Sequence, residues 1–274
     1  MISVNTNSGA MIALEYLNQT QAQLTQTQNA INTGLKVSSA KDDGATYAIA
    51  QNMRGDVAGY QSVTDSLNRG MSAVDVATSA GQSISDLLIQ MKQKALSAAD
   101  SSIDTASRQA LNQDFVALRD QITTIVKNAV FNGYNLIDGS TSKITALASA
   151  DGTRRISVSA LTMSLGSSIV TVTSAGTIST LANATAMVKT IETSLTNVDA
   201  ALAKFSAGAK KFSIQTTFVQ QLSDTLTTGI GNMVDADMAK ESALLTSLQT
   251  KQQLGVQALS IANQAPSTIL SLFR

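Results

Sequence analysis

VDADMAKESALLTSLQTKQQLGVQALSIANQAPSTILSLFR, residues Val234 to Arg274, sets the terms for reading the rest of the chain. Asp235 and Asp237 open it, where carboxylates suit a helix N-terminus. Leu245, Leu248, Gln252, Gly255, Leu259 and Ala262 then follow at alternating spacings of three and four, the seam of a packed helix pair. Leu244, Leu254, Ala258, Ile261 and Ala265 make a second apolar row beside it. Between Lys251 and Arg274 there is no charge. A helix apolar on two faces and stripped of charge does not sit in water alone. The second face is therefore expected to be covered by other copies of the chain. Pro266 either kinks this helix or opens a short final one, and the kink is favoured.

The opposite end of the chain has matching character. Over residues 4–32, Ala10, Leu14, Leu17, Gln21, Leu24, Gln28 and Ile31 alternate four and three apart, a coiled-coil seam diluted with Gln. Glu15 is the one charge before Lys36. Where a monomer would place Lys and Glu on its solvent face, this helix carries Asn, Gln, Ser and Thr, which are buried against neighbours at far lower cost than charges. The expected assembly interface is Leu14, Leu17, Leu24 and Ile31 from the first segment. From the last it takes Leu245, Leu248, Leu254, Leu259, Ile261, Leu270 and Phe273.

Between the ends, TGLKVSSAKDDG at 33–44 breaks the helical pattern and reads as a spoke-like loop. Asp42 and Asp43, adjacent carboxylates before a helix, are read as caps rather than a metal or acid pair. From about Ala45 to Ala98 comes the longest helical signal, with Tyr60, Val63, Leu67, Gly70, Val74, Ala77, Gly81, Ile84, Leu88, Met91 and Ala95 in strict alternation. Leu111 to Ala129 and Leu181 to Leu226 repeat that seam. Sustained 3.5 periodicity predicts a mainly α fold, a long coiled-coil-like bundle built from the N- and C-terminal parts. Gly208 is expected to loosen the last bundle helix without ending it. From Val130 to Leu181 the pattern changes. Asn132-Gly133, Asp138-Gly139 and Asp151-Gly152 are turn pairs, while Ile156 to Ser159 and Val170 to Thr173 alternate with period two. A small β-hairpin region, built like an exposed tip, is expected there. The predicted organisation is residues 1–34 with 235–274 as paired terminal helices, 35–130 with 181–234 as the bundle, and 131–180 as its outer hairpin region.

Composition excludes most chemistry. The chain has no His, Cys or Trp, which removes Ser-His-Asp and Cys-His nucleophiles, disulfides and histidine or thiolate metal sites. Asp138, Asp151, Asp235 and Asp237 are the carboxylates a glycan-active enzyme would use, and turn or cap roles account for all four. No catalytic residue, metal or cofactor is expected. A formal net charge of +0 supplies no basic field for nucleic acid or an anionic membrane. MISVNTNSGA has neither a basic n-region nor a continuous apolar core, so no cleavable signal peptide is expected. No apolar run reaches the roughly eighteen residues of a transmembrane span.

Three stretches carry a family resemblance: NTNSGAMIALEYLN (Asn5 to Asn18), INTGLKVSSAKDDGATYAIAQNMR (Ile31 to Arg54) and the C-terminal segment from Val234 to Arg274. Together they closely resemble bacterial flagellin, in a short form without large outer domains, and Phe131 to Gly133 resembles the point where the variable middle of that family opens. The resemblance implies a structural subunit that polymerises into the swimming filament. It also implies secretion through the flagellum's own export channel. The implied partners are other copies, the export apparatus and an export chaperone, and the filament cap and hook-filament junction proteins. A junction protein of the same architecture is the alternative, and the C-terminal QTKQQLGVQALSIANQ and LSLFR favour flagellin. O-glycosylation, common in the family, has candidates in Ser140, Thr141, Ser142, Thr171 and Thr173, with no motif behind them. LIQMKQKALS (Leu88 to Ser97) corresponds to the segment of flagellins sensed by an innate immune receptor. Gln90 stands where Arg is expected, Gln93 where Glu is and Lys94 where Leu is, so poor recognition is implied.

Overall fold

The computed structural model describes the backbone of residues 6–270 and the side chains of residues 6–264. In chain order the elements are α1 (Ser8–Thr33), α2 (Gly44–Ala98), α3 (Thr105–Asn128), β1 (Val130–Phe131), β2 (Tyr134–Asn135), β3 (Lys143–Leu147), β4 (Arg155–Ser159), α4 (Leu181–Val234) and α5 (Met238–Leu270). They fall into two compact units, Asp56–Asp224 and the combination of Met1–Gly55 with Thr225–Arg274.

The Asp56–Asp224 unit is built on the expected seams. On α2 every seam residue from Val63 to Ala95 is buried. Phe115 and Ile122 of α3 and Ile191, Val198, Phe205 and Phe212 of α4 are buried with them. Lys92 pairs with Glu192 at 2.8 Å and Lys94 with Asp114 at 2.7 Å, which sets α2 antiparallel to both α4 and α3. Helix α4 passes through Gly208 without a break.

The middle segment is not a protruding tip. It lies along the helices, with Ala146, Val158, Met163, Val170, Val172 and Ile178 all in the core. Polar groups tie it down: the Leu147 amide donates to Ser66 Oγ at 3.1 Å, Gln215 Nε2 to the Ala148 carbonyl at 3.1 Å, and the Ile178 amide to Asn112 Oδ1 at 2.7 Å. Two tight hairpin pairs form, β1 with β2 and β3 with β4, both antiparallel. Asn132 at φ 48° and Gly133 at φ 82° supply the two left-handed residues that a two-residue hairpin turn demands. At the β3–β4 turn, Asp151 accepts from the Ser149 hydroxyl, and from the Thr153 hydroxyl at 2.8 Å and amide at 3.1 Å. These bonds, Ser149's first, pull its pKa down to about 2.

One strand expectation fails. Val170 and Val172 are buried and Thr171 is not, as alternation demands, yet no ladder forms. The Thr171 amide donates to Ser194 Oγ at 3.0 Å and its hydroxyl to the Thr190 carbonyl at 3.1 Å, so α4 side chains and backbone replace a strand partner. The partner of β4 is instead Lys143–Leu147.

Close packing of this segment depends on glycine in α4. A Cβ on Gly208 would lie 2.7 Å from Val158 Cγ1, and Val158 is stiff about χ1. Gly208→Ala is therefore expected to destabilise the unit by about 1–3 kcal/mol despite alanine's better helix propensity. Adding Val158→Ala recovers part of that loss in thermal melts, and a G208A protein melting at or above the wild-type temperature refutes the clash.

Candidate assembly interface

The terminal helices form one antiparallel pair. Asn7 caps α1, its Oδ1 accepting from the Ala10 amide at 3.1 Å, and its Nδ2 donates to the Ala262 carbonyl of α5 at 2.7 Å. A Cβ on Gly255 would meet Leu17 Cδ1 at 3.2 Å, so the helices approach closely there. Gln252 Nε2 donates to Gln21 Oε1 at 2.6 Å. At the far end Gly34, left-handed at φ 71°, closes α1, and the chain pairs with the α4–α5 junction through a Leu35–Asp235 bridge. There the Lys36 amide donates to the Val234 carbonyl at 2.8 Å and the Ala236 amide to the Gly34 carbonyl at 2.9 Å.

Among the paired carboxylates, each helix has one cap. Asp43 Oδ1 accepts from the Ala45 and Thr46 amides and caps α2; Asp237 Oδ1 accepts from the Ala239 and Lys240 amides and caps α5. Asp42 is not a helix cap as expected. Its Oδ2 gathers the Ser38 and Ser39 amides and hydroxyls and so holds the spoke loop. Asp235 serves the bridge rather than the start of α5. Hydrogen bonds lower the pKa of Asp42, chiefly from the Ser39 backbone, and of Asp43, chiefly from the Thr46 hydroxyl. Both shift below the ordinary 3.8, so their stabilisation is complete above that pH and is lost as pH falls through the lowered values. The melting temperature of the free subunit is expected to hold down to about pH 4 and to drop below it. In Asp42→Asn with Asp43→Asn the drop is smaller, and an unchanged acid profile in that double variant contradicts the assignment.

The predicted interface residues divide by face. On α5 the seam from Leu245 through Leu248, Gln252, Gly255, Leu259 and Ala262 is the face turned inward, with Leu248 fully covered. On α1, Leu24 is buried and Leu17 and Ile31 are half-buried. Leu14 is not in the seam. The inward row runs Ala10, Ala13, Leu17, Thr20, Leu24 and Thr27, leaving Gln21 on the rim and Gln28 outside. Leu254 and Ile261 lie on the opposite face of α5, Ile261 70% exposed, while Leu244 and Val256 are exposed on its two flanks. On α1, Met11 and Ile12 face away from α5, Met11 67% exposed, and Leu14 and Tyr16 are exposed on the two flanks. Met11, Ile12 and Tyr16 are absent from the expected interface because three-four alternation picks out a single seam and these residues lie off it. Helix α5 runs on through Pro266 to Leu270 rather than restarting after it, while the Leu270 side chain and Phe273 lie outside the described residues.

The remaining expectations fall elsewhere. Ser140, Ser142 and Thr173 are exposed and Thr141 is half-buried, whereas the Thr171 hydroxyl is engaged beneath α4. Ser140 donates its hydroxyl to Asp138 Oδ1 at 2.6 Å. In the Leu88 to Ser97 stretch, Ile89 and Leu96 are exposed while Lys92 and Lys94 are held in ion pairs. Among the described residues no helix is long and apolar enough to cross a membrane, and no cluster of three acidic residues suited to a metal occurs.

Comparison with known proteins bears on these features directly. The pattern described as the bacterial flagellin N-terminal helical region matches residues 4–142, and that of the bacterial flagellin C-terminal helical region matches residues 188–273. Flagellin FljM of Caulobacter vibrioides is 53% identical over 272 residues, covering 99% of this chain and 98% of that one. A flagellin of Brucella melitensis is 36% identical over 283 residues, with all of both chains covered. The crystal structure of Bacillus cereus flagellin superposes with a TM-score of 0.50 at 19% identity, over 56% of this chain and 88% of that one, a likeness of fold.

Proposed function

Because the chain belongs to the bacterial flagellin family, we propose that its α1–α5 pair is the element through which copies join, each neighbour covering the outer apolar row that one molecule leaves bare. As a flagellin it is a structural subunit that polymerises into the helical filament of the bacterial flagellum, outside the cell. The junction-protein alternative is not favoured, since the full-length relatives are flagellins. The family is a structural one, and no enzymatic role is assigned.

The observation that carries the interface reading is the exposure of Met11, Ile12, Tyr16, Leu254, Val256 and Ile261 on helices nearly free of charge. Large exposed apolar patches mark association surfaces. In this reading residues 1–34 with 235–274 act as the assembling part, 35–130 with 181–234 as the bundle, and 131–180 as the region facing away from the filament axis. Leu17, Leu24, Ile31, Leu245, Leu248 and Leu259 hold the pair together, and Leu14, Leu254 and Ile261, with Leu270 and Phe273, meet neighbours. In the free subunit the pair opens readily and orders fully on joining. The chain leaves through the flagellar export apparatus, escorted by a chaperone, and grows between junction and cap proteins. Glycans, where present, attach at Ser140, Thr141, Ser142 or Thr173, and the innate immune receptor recognises the Leu88 to Ser97 stretch poorly. Hydrogen exchange tests the central step. Amides from Leu245 to Leu259 are expected to exchange rapidly in monomer and slowly in filament, and strong protection in monomer contradicts it.

A further inference from the structure

The terminal helices carry few charges, and none of these makes an ion pair among the described residues. Glu15 is the one charged residue of α1 and sits exposed among Met11, Ile12 and Tyr16, with no ion pair among the described residues. At the other end of α1 a groove of about 340 Å³ opens between the helix face of Ala22, Thr25, Gln26 and Asn29 and the spoke loop. Lys36 and Lys41 line it. The Lys36 ammonium donates to the Asn232 carbonyl at 3.1 Å, and neither lysine has a carboxylate partner within 4 Å among the described residues. Asp42, also in the groove, is already committed to Ser38 and Ser39, so the groove keeps a net positive charge.

A carboxylate covered by a neighbour's apolar surface costs several kcal/mol unless it meets a cation there. Glu15 cannot reach its own groove: from position 15 to the Asn29 turn the helix rises about 21 Å at 1.5 Å per residue. A copy shifted along the helix axis by about that distance brings its Glu15 to the lysines. Such a contact joins two different patches and so runs on from copy to copy rather than closing a pair.

We propose that Glu15 of each subunit docks in the Lys36–Lys41 groove of a second copy, making the charged register pin of the assembly interface. This rests on the self-assembly reading above. The pin suppresses misregistered stacking, because placements that set the carboxylate against a neighbour's apolar side chains bury it unpaired.

The absence of cysteine from the sequence makes a direct test available. Full-length protein carrying Glu15→Cys and Lys41→Cys is polymerised and then oxidised. A ladder of disulfide-linked oligomers is expected from filaments and none from monomer, since the two positions lie much farther apart within one chain than the roughly 7 Å a disulfide spans. In parallel, Glu15→Lys and Lys41→Glu each raise the critical concentration for polymerisation about tenfold, and the double charge swap returns it to within about threefold of wild type. Normal filaments without a ladder, or a ladder from Glu15→Cys with Lys251→Cys in place of Lys41→Cys, overturn the groove assignment and leave the assembly reading standing. Failure of the wild-type chain to polymerise overturns the assembly reading itself.

Discussion

Deleting residues 235–274 is expected to abolish filament growth at every protein concentration while the Asp56–Asp224 unit stays folded. The two effects separate because α5 takes no part in the bundle core, which is built from α2, α3, α4 and the middle segment. What the deletion removes is the partner of α1: the Leu248 and Leu259 seam, the acceptor carbonyl for Asn7, and the exposed apolar residues Leu244, Leu254, Val256 and Ile261. It also leaves Leu24, Thr27 and Ala30 exposed, so α1 loses its packed face and, with its Thr and Asn residues, has too little helix propensity to persist alone. Sedimentation and electron microscopy read the first effect, and the far-UV melting transition of the remaining bundle reads the second. Rods growing from the shortened chain refute the role given to α5.

Phe205→Ala is expected to act on the other unit and by another route. Phe205 is fully covered in the core of α4, level with the stretch where Met163 and Val158 of the middle segment come down onto the helices. Removing a buried phenyl ring costs about 3–5 kcal/mol, through lost transfer energy and an unfilled cavity. For a unit of this size that lowers the melting temperature by about 10 °C. Assembly at low temperature is expected to survive, since the terminal pair is untouched. A shift under about 2 °C shows that the site collapses around the gap and that the core there is less tightly set than its burial indicates.

The contrast between these units explains what was legible beforehand. In α2 the residues at three-four spacing are apolar or small and most of the others are polar, so burial and pattern coincide at every seam position from Val63 to Ala95. In α1 two heptads share Ala10, Leu17, Leu24 and Ile31 and differ in the other position. Leu14, Gln21 and Gln28 look the better choice by size, yet Ala13, Thr20 and Thr27 face α5. Small residues there let the backbones approach, and the larger ones are turned outward, so a rule that sends large apolar residues inward picks the wrong row. The positions of Leu14, Met11 and Tyr16 follow from a second surface that the single chain does not contain. The middle segment misleads for a related reason. Alternation at Val170 to Thr173 correctly marks which side chains are buried, but it says nothing of what the backbone bonds to, and Ser194 and Thr190 supply that instead of a strand. Lys143–Leu147 was readable in principle, from its own alternation and the Asp151-Gly152 turn that follows it. Adjacent acids were likewise legible as hydrogen-bond acceptors, while the split of duties between Asp42 and Asp43 depended on the loop's path.

Asn7 gives one amide two duties. Its oxygen starts α1 and its nitrogen grips α5 at Ala262, 255 positions further on. The same side chain thus marks where the first helix begins and where the last one is held against it. A chain that ends short of Ala262 keeps the local cap of α1 but offers the Asn7 nitrogen no acceptor, so the two helix ends are left unfastened at this point.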